Sequence, residues 1–417
     1  MEVMAASLDK YYQKILLSQR FSPLAMKNTL EPLWQKNGYR QELGTVKEIL
    51  VISLNAIGDN VLYSAFLREL RRNNPDSRIT LVVTPLVYNL MELCPYVNTI
   101  HSLPYHCGED FNSYFPRFIR FAQEKMLDYR FDISVCVQWS DDKRPMNLLA
   151  YLSGAAQRYG ISDKSILAIK RDFSLIDQWE FLLTHPIITP PEITHEAERA
   201  LYVVKAMGGN VVQKEAEIWL NSTDVESSRK LLDATGWRKF AVLGLGAGHS
   251  NRKYPLDKWI AALQQILDDY GTYFVLLGGK NEKDDGTYIE KAMPDGSVLS
   301  LAGRTTLRET AAIIKCADCY LGNVTGMMHM AAALQTPLIT IFREAKMRAS
   351  APPGIFSEST RFAPWQANAV VLQPERAAGE CMHTVVYGGC KENKAHCIAQ
   401  VTAAEIVAAY ERLRGRL

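Results

Sequence analysis

The segment Cys319-Tyr320-Leu321-Gly322-Asn323-Val324-Thr325-Gly326-Met327-Met328-His329-Met330-Ala331-Ala332-Ala333 constrains the fold most. An apolar run ends in Gly-Asn-x-Thr-Gly and becomes, within a few residues, a helix of small and apolar side chains carrying one histidine. A strand feeding straight into a helix belongs to an α/β layer. It also gathers a polar turn, open backbone N–H groups and a helix N-terminus at one point, a construction suited to a phosphate or sugar-phosphate. A second turn of this kind, Leu54-Asn55-Ala56-Ile57-Gly58-Asp59, lies far upstream and carries an acid. Two such turns in separate α/β halves point to a cleft enzyme that handles an activated nucleotide compound.

The pattern between the two turns supports two domains. Glu48–Leu54, Arg78–Val83 and Asp132–Val137 are buried-strand runs, with helical segments over Asp59–Arg72 and Leu86–Leu93. After a break the order repeats. Phe240–Leu245, Tyr273–Leu277, Val298–Leu301, Cys319–Leu321 and Pro337–Phe342 read as strands, the last completing the sheet. Leu256–Tyr270 and Thr306–Cys316 read as helices. The final helix, Thr402 to Leu413, opens with the capping box Thr402-x-x-Glu405. Strands alternating with helices predict parallel sheets covered on both faces, with ligands at the carboxyl ends of the strands. The boundaries expected are a helical N-terminal extension over 1–45, carrying Tyr11, Ile15, Leu16, Leu30, Leu33 and Trp34 at helical spacing, and a first Rossmann-like domain over 46–207. A linker region over 208–237, a second Rossmann-like domain over 238–400 and a C-terminal helix over 401–417 follow.

Composition narrows the function by exclusion. A chain of 417 residues has room for two full cores, and a net charge of +2 with dispersed basic residues gives no sign of nucleic-acid binding. No run approaches the roughly 18 to 20 apolar residues that span a bilayer, and the first residues lack the pattern of a secretory signal. Eight cysteines in such a chain read as mostly reduced thiols, so a cytoplasmic protein is expected.

Taken together, these blocks resemble glycosyltransferase family 9, the heptosyltransferases. The first is Ile57-Gly58-Asp59-Asn60-Val61-Leu62 through Leu67-Arg68-x-Leu70 to Asn74-Pro75-Asp76-Ser77-Arg78-Ile79. Arg130-Phe131-Asp132 to Gln138, then Leu148-Leu149-Ala150 to Arg158-Tyr159-Gly160, form the next. Gly246-Ala247 with Arg252-Lys253-Tyr254-Pro255-x-x-x-Trp259 is similar to the family's donor-phosphate loop. Gly278-Gly279 with Glu282, Leu301-Ala302-Gly303-Arg304-Thr305-Thr306-Leu307, and Gly322-Asn323-x-Thr325-Gly326-x-x-His329-x-Ala331-Ala332-Ala333 complete the series. The resemblance covers about residues 46 to 413 and implies the GT-B architecture, two doubly wound Rossmann-like domains facing across a cleft. The chain departs from the family at Val324, where an acid is usual, and mildly at Tyr254, where tryptophan is usual.

The resemblance assigns roles that elementary chemistry makes sensible. Inverting transfer needs a carboxylate to take the acceptor hydroxyl's proton, and the family places it at Asp59. A first-turn aspartate favoured by the helix dipole is the plainer alternative. The departing diphosphate gathers charge that, without catalytic metal, cations and N–H groups must hold. Gly246, Ala247, Arg252 and Lys253 would serve there, Arg252 with a bidentate fork, or else as surface charges. Thr325, Gly326 and Met327 would offer N–H groups and a hydroxyl, with Val324 beside the donor sugar. His329 is either a phosphate or helix-organising contact, or a core residue. Gly279 and Glu282 would take the ribose, or Glu282 is a solvated surface acid. Asn55 and Gln138 are candidates on the acceptor side.

Cys381, Cys390 and Cys397, with His383 between them, could complete a structural zinc or iron site; no cofactor is expected for catalysis. Cys316 and Cys319, which share a Cys-x-x-Cys spacing, read as buried small hydrophobes instead. The implied reaction moves a heptose from ADP-heptose to a lipopolysaccharide-core or related bacterial glycan. Its partners are then a nucleotide-sugar donor and a glycan or glycolipid acceptor, met in peripheral contact with the inner face of the membrane. A transferase of another nucleotide sugar, and a non-catalytic sugar-nucleotide-binding homologue, stay open.

Overall fold

Runs of aliphatic and β-branched residues assemble into two six-stranded sheets, each wholly parallel. A computed structural model of the chain describes residues 23–36, 45–138, 144–167, 179–233, 235–346, 358–378 and 396–415. The first sheet is built from β1 (Glu48–Ser53), β2 (Arg78–Val83), β3 (Thr99–Ser102), β4 (Ile133–Cys136), β5 (Gln157–Ile161) and β6 (His185–Ile187). Its spatial order is β3-β2-β1-β4-β5-β6. The second contains β7 (Phe240–Gly244), β8 (Tyr273–Leu277), β9 (Val298–Ser300), β10 (Cys319–Asn323), β11 (Leu338–Ile341) and β12 (Ala369–Leu372). Its order, β12-β11-β10-β7-β8-β9, is the same doubly wound topology read from the other edge. Strand order reverses between β1 and β4 in one sheet and between β7 and β10 in the other. Ligands of doubly wound folds bind outside the carboxyl ends of strands at that reversal.

The described residues divide into two compact units. One draws on Met1–Asn55, Ala65–Ile193 and Ala197–Lys214, the other on Ala56–Ser64, Thr194–Glu196 and Glu215–Leu417. In the first unit, Leu50, Ile52 and Val82 of the sheet meet Phe115, Phe118 and Ile119 of the helix Phe111–Lys125. The helix Pro23–Lys36 joins this core through Met26, Leu30 and Trp34, all fully buried, with the Trp34 ring 4.7 Å from that of Tyr151. Tyr11, Ile15 and Leu16 lie outside the described residues. In the second unit, Leu243, Leu276 and Ile339 pack under Trp259, Leu263 and Ile266 of the helix Leu256–Tyr270, and under Tyr410 and Leu413 of the helix Ala403–Arg414. That last helix has the capping box expected of it, Thr402 with Glu405.

Several elements differ from the sequence expectation. The helix expected over Asp59–Arg72 is two helices, Ile57–Leu62 and Ser64–Asn73. At the join Ser64 Oγ donates to the Val61 carbonyl (2.6 Å) and accepts from the Glu217 N–H (2.7 Å). A hydroxyl bonded this way competes with the helical ladder. The strand β11 does not complete its sheet, because β12 pairs with its outer edge. Cys319 is buried as expected, whereas Cys316 is exposed at the end of its helix.

Candidate active site

Two strand-to-helix turns of the second unit pack against each other through glycines. The helix Ile57–Leu62 and the helix Gly326–Ala333 approach so closely that a Cβ on Gly326 would sit 2.7 Å from Ile57 Cβ. A Cβ on Gly58 would sit 2.6 Å from His329 Cδ2. His329 is buried, and burial together with the nearby His195 pushes its pKa down to about 3, so the ring is neutral. Its Nδ1 has no hydrogen-bond partner among the described residues.

Asp59 stands in the first turn of the first of these helices, and its residue keeps partial exposure although the carboxyl is enclosed. Burial pushes that carboxyl up to about 7, and the negative charge of Glu196 adds to the rise. The positive charge of Arg361 and a hydrogen bond from the Ala56 N–H oppose it. Glu196 and Arg361 are themselves a buried ion pair, with Arg361 Nη2 and Nε 2.6 and 2.8 Å from Glu196 Oε1. The next residues hold the same neighbourhood in place: His195 stacks on Trp365 at 4.5 Å and contacts the Ala363 carbonyl at 2.9 Å. A carboxyl titrating near neutrality is suited to accept and release a proton at physiological pH.

The residues expected to bind the donor follow the carboxyl ends of β7 and β10, which flank the reversal of strand order, and of β8, the neighbour of β7. Asn323, buried at the end of β10, accepts from the Tyr254 N–H (3.2 Å) and donates from Nδ2 to the Gly246 carbonyl (3.1 Å). It thereby fastens both ends of the 246–254 loop to the turn. The Met327 methyl lies 3.7 Å from the position of a Cβ on Gly246. Ala247 is buried; Val324, Thr325, Gly326 and Met327 are half-buried. Thr325 precedes its helix in extended conformation without capping it, and its Oγ1 is buried. Arg252 forms an ion pair with Glu358, and Lys253 one with Asp285. Glu282 folds back so that its Oε2 accepts from the Gly279 N–H (2.9 Å).

In the first unit, Asn55 and Gln138 each follow the end of a strand by two residues, β1 and β4, which are neighbours with Ile52 opposite Cys136. Asn55 is buried and Gln138 half-buried. Of the cysteine group, Cys381, His383 and Cys390 lie outside the described residues. Cys397 is buried, with Sγ accepting from the Ala378 N–H at 3.4 Å and lying 3.9 Å from His396 Nε2. Among the described residues no group of three or more metal-ligating side chains comes together, and no helix is long and apolar enough to cross a membrane.

Asn323 lies inside the Gly-Asn-x-Thr-Gly motif, but nothing local in the sequence shows its tie to the 246–254 loop. Glu196 and Arg361, like Arg252 and Glu358, carry no local signal of their pairing, since each pair joins residues distant in sequence.

Comparison with known proteins identifies the family and the fold. The model of glycosyltransferase family 9 (heptosyltransferase) matches residues 148–391, more than half of the chain, and the protein belongs to that family. It is a glycosyltransferase. Lipopolysaccharide heptosyltransferase 3 of Escherichia coli (strain K12) is 23% identical over 359 residues, which cover 85% of this chain and 95% of the relative. The solved family 9 glycosyltransferase of Veillonella parvula matches with a TM-score of 0.70 at 18% identity, covering 90% of this chain and 99% of that one. The structure described as E. coli ADP-heptose lps heptosyltransferase II matches with a TM-score of 0.65 at 17% identity, covering 88% and 99%. The fold is GT-B.

Proposed function

We propose that the protein is an inverting transferase that moves a heptose from ADP-heptose to a hydroxyl of a lipopolysaccharide-core or related bacterial glycan. The observation that carries this reading is Asp59. A carboxyl raised to about 7 sits on a helix packed directly against the helix that opens at Thr325 and Gly326. Base and phosphate-binding turn therefore belong to one packed unit.

In the reaction, Asp59 takes the proton of the acceptor hydroxyl while that oxygen attacks the anomeric carbon. The bond from that carbon to the β-phosphate oxygen breaks, and the nucleoside diphosphate leaves with its electron pair. Attack from the face opposite the leaving group inverts the anomeric centre. Arg252, the N–H groups of Gly326 and Met327 and the 246–248 backbone hold the developing charge without a catalytic metal. Gly279 and Glu282 face the ribose, Val324 the donor sugar, and Asn55 and Gln138 the acceptor. His329 stays neutral and keeps the two helices in register.

Val324 favours a second reading, transfer of a different sugar, because valine offers no hydrogen bond to the sugar hydroxyls. A thermal-shift comparison of ADP-heptose with UDP- and GDP-sugars tests the donor. A ligand at 100 times its dissociation constant adds about 2.7 kcal/mol of stability. Transfer assays with the best donor, read by NMR at the new anomeric centre, test the stereochemistry. No shift with any nucleotide sugar would refute the reading.

A further inference from the structure

Two guanidinium groups converge on one carboxylate at the carboxyl end of the second sheet. Arg252 belongs to the loop after β7, Arg343 stands two residues beyond the end of β11, and Glu358 opens the short helix Glu358–Arg361. Glu358 Oε1 pairs with Arg252 Nη2, and Glu358 Oε2 lies 3.4 Å from Arg343 Nε. Arg343 Nη1 donates to Asn251 Oδ1 at 3.0 Å, so it also grips the residue preceding Arg252. The side chains of Arg252, Arg343 and Glu358 are only 20%, 12% and 13% exposed. Glu344 holds the other side of the carboxylate's helix, accepting from the Ser359 N–H at 3.4 Å.

Two cations held this close in a partly dry setting repel each other, and the carboxylate between them offsets that repulsion. The forks of arginine fit phosphate oxygens by the same bidentate geometry that fits a carboxylate. A diphosphate therefore presents the same kind of oxygens as Glu358, more of them and with more charge. We propose that Arg252 and Arg343 together form the diphosphate cradle, and that Glu358 is a resident carboxylate that occupies it until the donor's phosphates displace it. Arg343 is then a donor-binding residue in its own right, and Glu358 sets how readily the site opens to the diphosphate. The inference rests on the reading of Arg252 as a donor-phosphate ligand and extends it to two residues that no local motif marks.

Calorimetry on the full chain tests it, with ADP, UDP and GDP each compared with its monophosphate. The ratio of diphosphate to monophosphate affinity is the readout, since a purely structural defect would weaken both. Arg343→Ala should lower diphosphate affinity about tenfold or more while changing monophosphate affinity little, the loss of a charge-assisted contact. Glu358→Gln should raise diphosphate affinity severalfold. Asn251→Ala, which cuts only the tie to the loop, should keep the ratio. If Arg343→Ala does not fold, Arg343→Lys, which keeps the charge without the fork, must show the same fall in the ratio. An unchanged ratio in the Arg343 variant beside a lost one in Arg252→Ala would overturn the inference and leave the Arg252 reading standing. Weaker diphosphate binding by Glu358→Gln would overturn the role of the carboxylate. Failure of the wild type to bind any of the three diphosphates would overturn both readings at once.

Discussion

The imidazole of His329 fills the space that a side chain on Gly58 would need, with Cδ2 only 2.6 Å from the position of a Cβ there. The residue next to Gly58 is Asp59, and the helix of His329 opens at the Thr325-Gly326 turn. One contact thus sets the spacing between the proposed base and the proposed phosphate turn.

Gly58→Ala should consequently cost stability, about 1–3 kcal/mol as for other overpacked sites, and should lower transfer through displacement of Asp59. Urea unfolding and the transfer rate check it. Combining it with His329→Ala frees the space, so the double variant should be less destabilised than the sum of the two single changes. Strict additivity would show that the two side chains do not share that space.

Removing the base should abolish transfer without abolishing donor binding. Asp59→Asn is expected to slow transfer about 10²- to 10⁴-fold, with nucleotide affinity by calorimetry largely kept. The wild-type rate should rise with pH through about 7, where the carboxylate forms. Glu196 raises that value by its charge and Arg361 lowers it. Glu196→Gln should therefore move the midpoint of the rate profile to lower pH. A midpoint that stays in place would detach the buried ion pair from Asp59.

Asp59 and His329 oppose each other in the pH dependence of stability. In the folded chain Asp59 keeps its proton to about 7, against 3.8 as its ordinary value, so it favours the folded state at low pH and loses that contribution as pH rises through 7. His329 does the reverse: its folded value of about 3 lies below the ordinary 6.5, so its contribution is complete above 6.5 and is lost as pH falls toward 3. Asp59→Asn removes the first effect alone. Its stability should fall more steeply than that of the wild type between pH 6.5 and 3, as measured by urea unfolding across that range. Parallel curves for the two proteins would count against the assignment.

Central strands were legible in the sequence because parallel strands covered on both faces read as continuous apolar runs, as in Glu48–Ser53 and Phe240–Gly244. The strands that escaped, among them Thr99–Ser102 and His185–Ile187, lie at or near sheet edges and carry polar residues and a proline. The Thr325-Gly326 turn and Asp59 were legible as strand-to-helix junctions. The fold-back of Glu282 onto the Gly279 N–H is equally local, a three-residue cap. No periodicity could show that Glu196 meets Arg361 or that Arg343 and Arg252 share Glu358. The Glu196–Arg361 and Arg252–Glu358 pairs join residues far apart in the chain, so they exist only in the folded protein.

Asn323 is the fastening between the loop and the turn, and its loss should be felt in both stability and donor affinity. Asn323→Ala leaves the Tyr254 N–H and the Gly246 carbonyl without their partners, at about 1–3 kcal/mol for each buried group stranded. Asn323→Asp should be worse for the loop, since a carboxylate would face the Gly246 carbonyl with no proton to donate. Thermal unfolding and nucleotide calorimetry distinguish the two; equal affinity in all three proteins would mean that the loop holds its shape unaided.

Val324 is where the turn departs from the family's usual acid, and it is half-buried between the end of β10 and the helix that opens at Gly326. Valine leaves sugar hydroxyls to water or to other side chains, so discrimination among donor sugars should be weaker than an acid would give. Nucleotide recognition should persist, because the backbone of Gly326 and the Arg252 fork do not depend on this side chain. Val324→Asp places a negative charge next to a helix N-terminus, where the dipole favours it by about 0.3–1 kcal/mol, so the turn should tolerate it. The expected result is a higher kcat/KM for ADP-heptose relative to other ADP-sugars, with ADP affinity unchanged or slightly weakened by repulsion from the diphosphate. Strict heptose selectivity in the wild type, with no gain in the aspartate variant, would show that another group holds the sugar. Asn55 and Gln138, the polar residues after β1 and β4, would then be the first to replace by alanine.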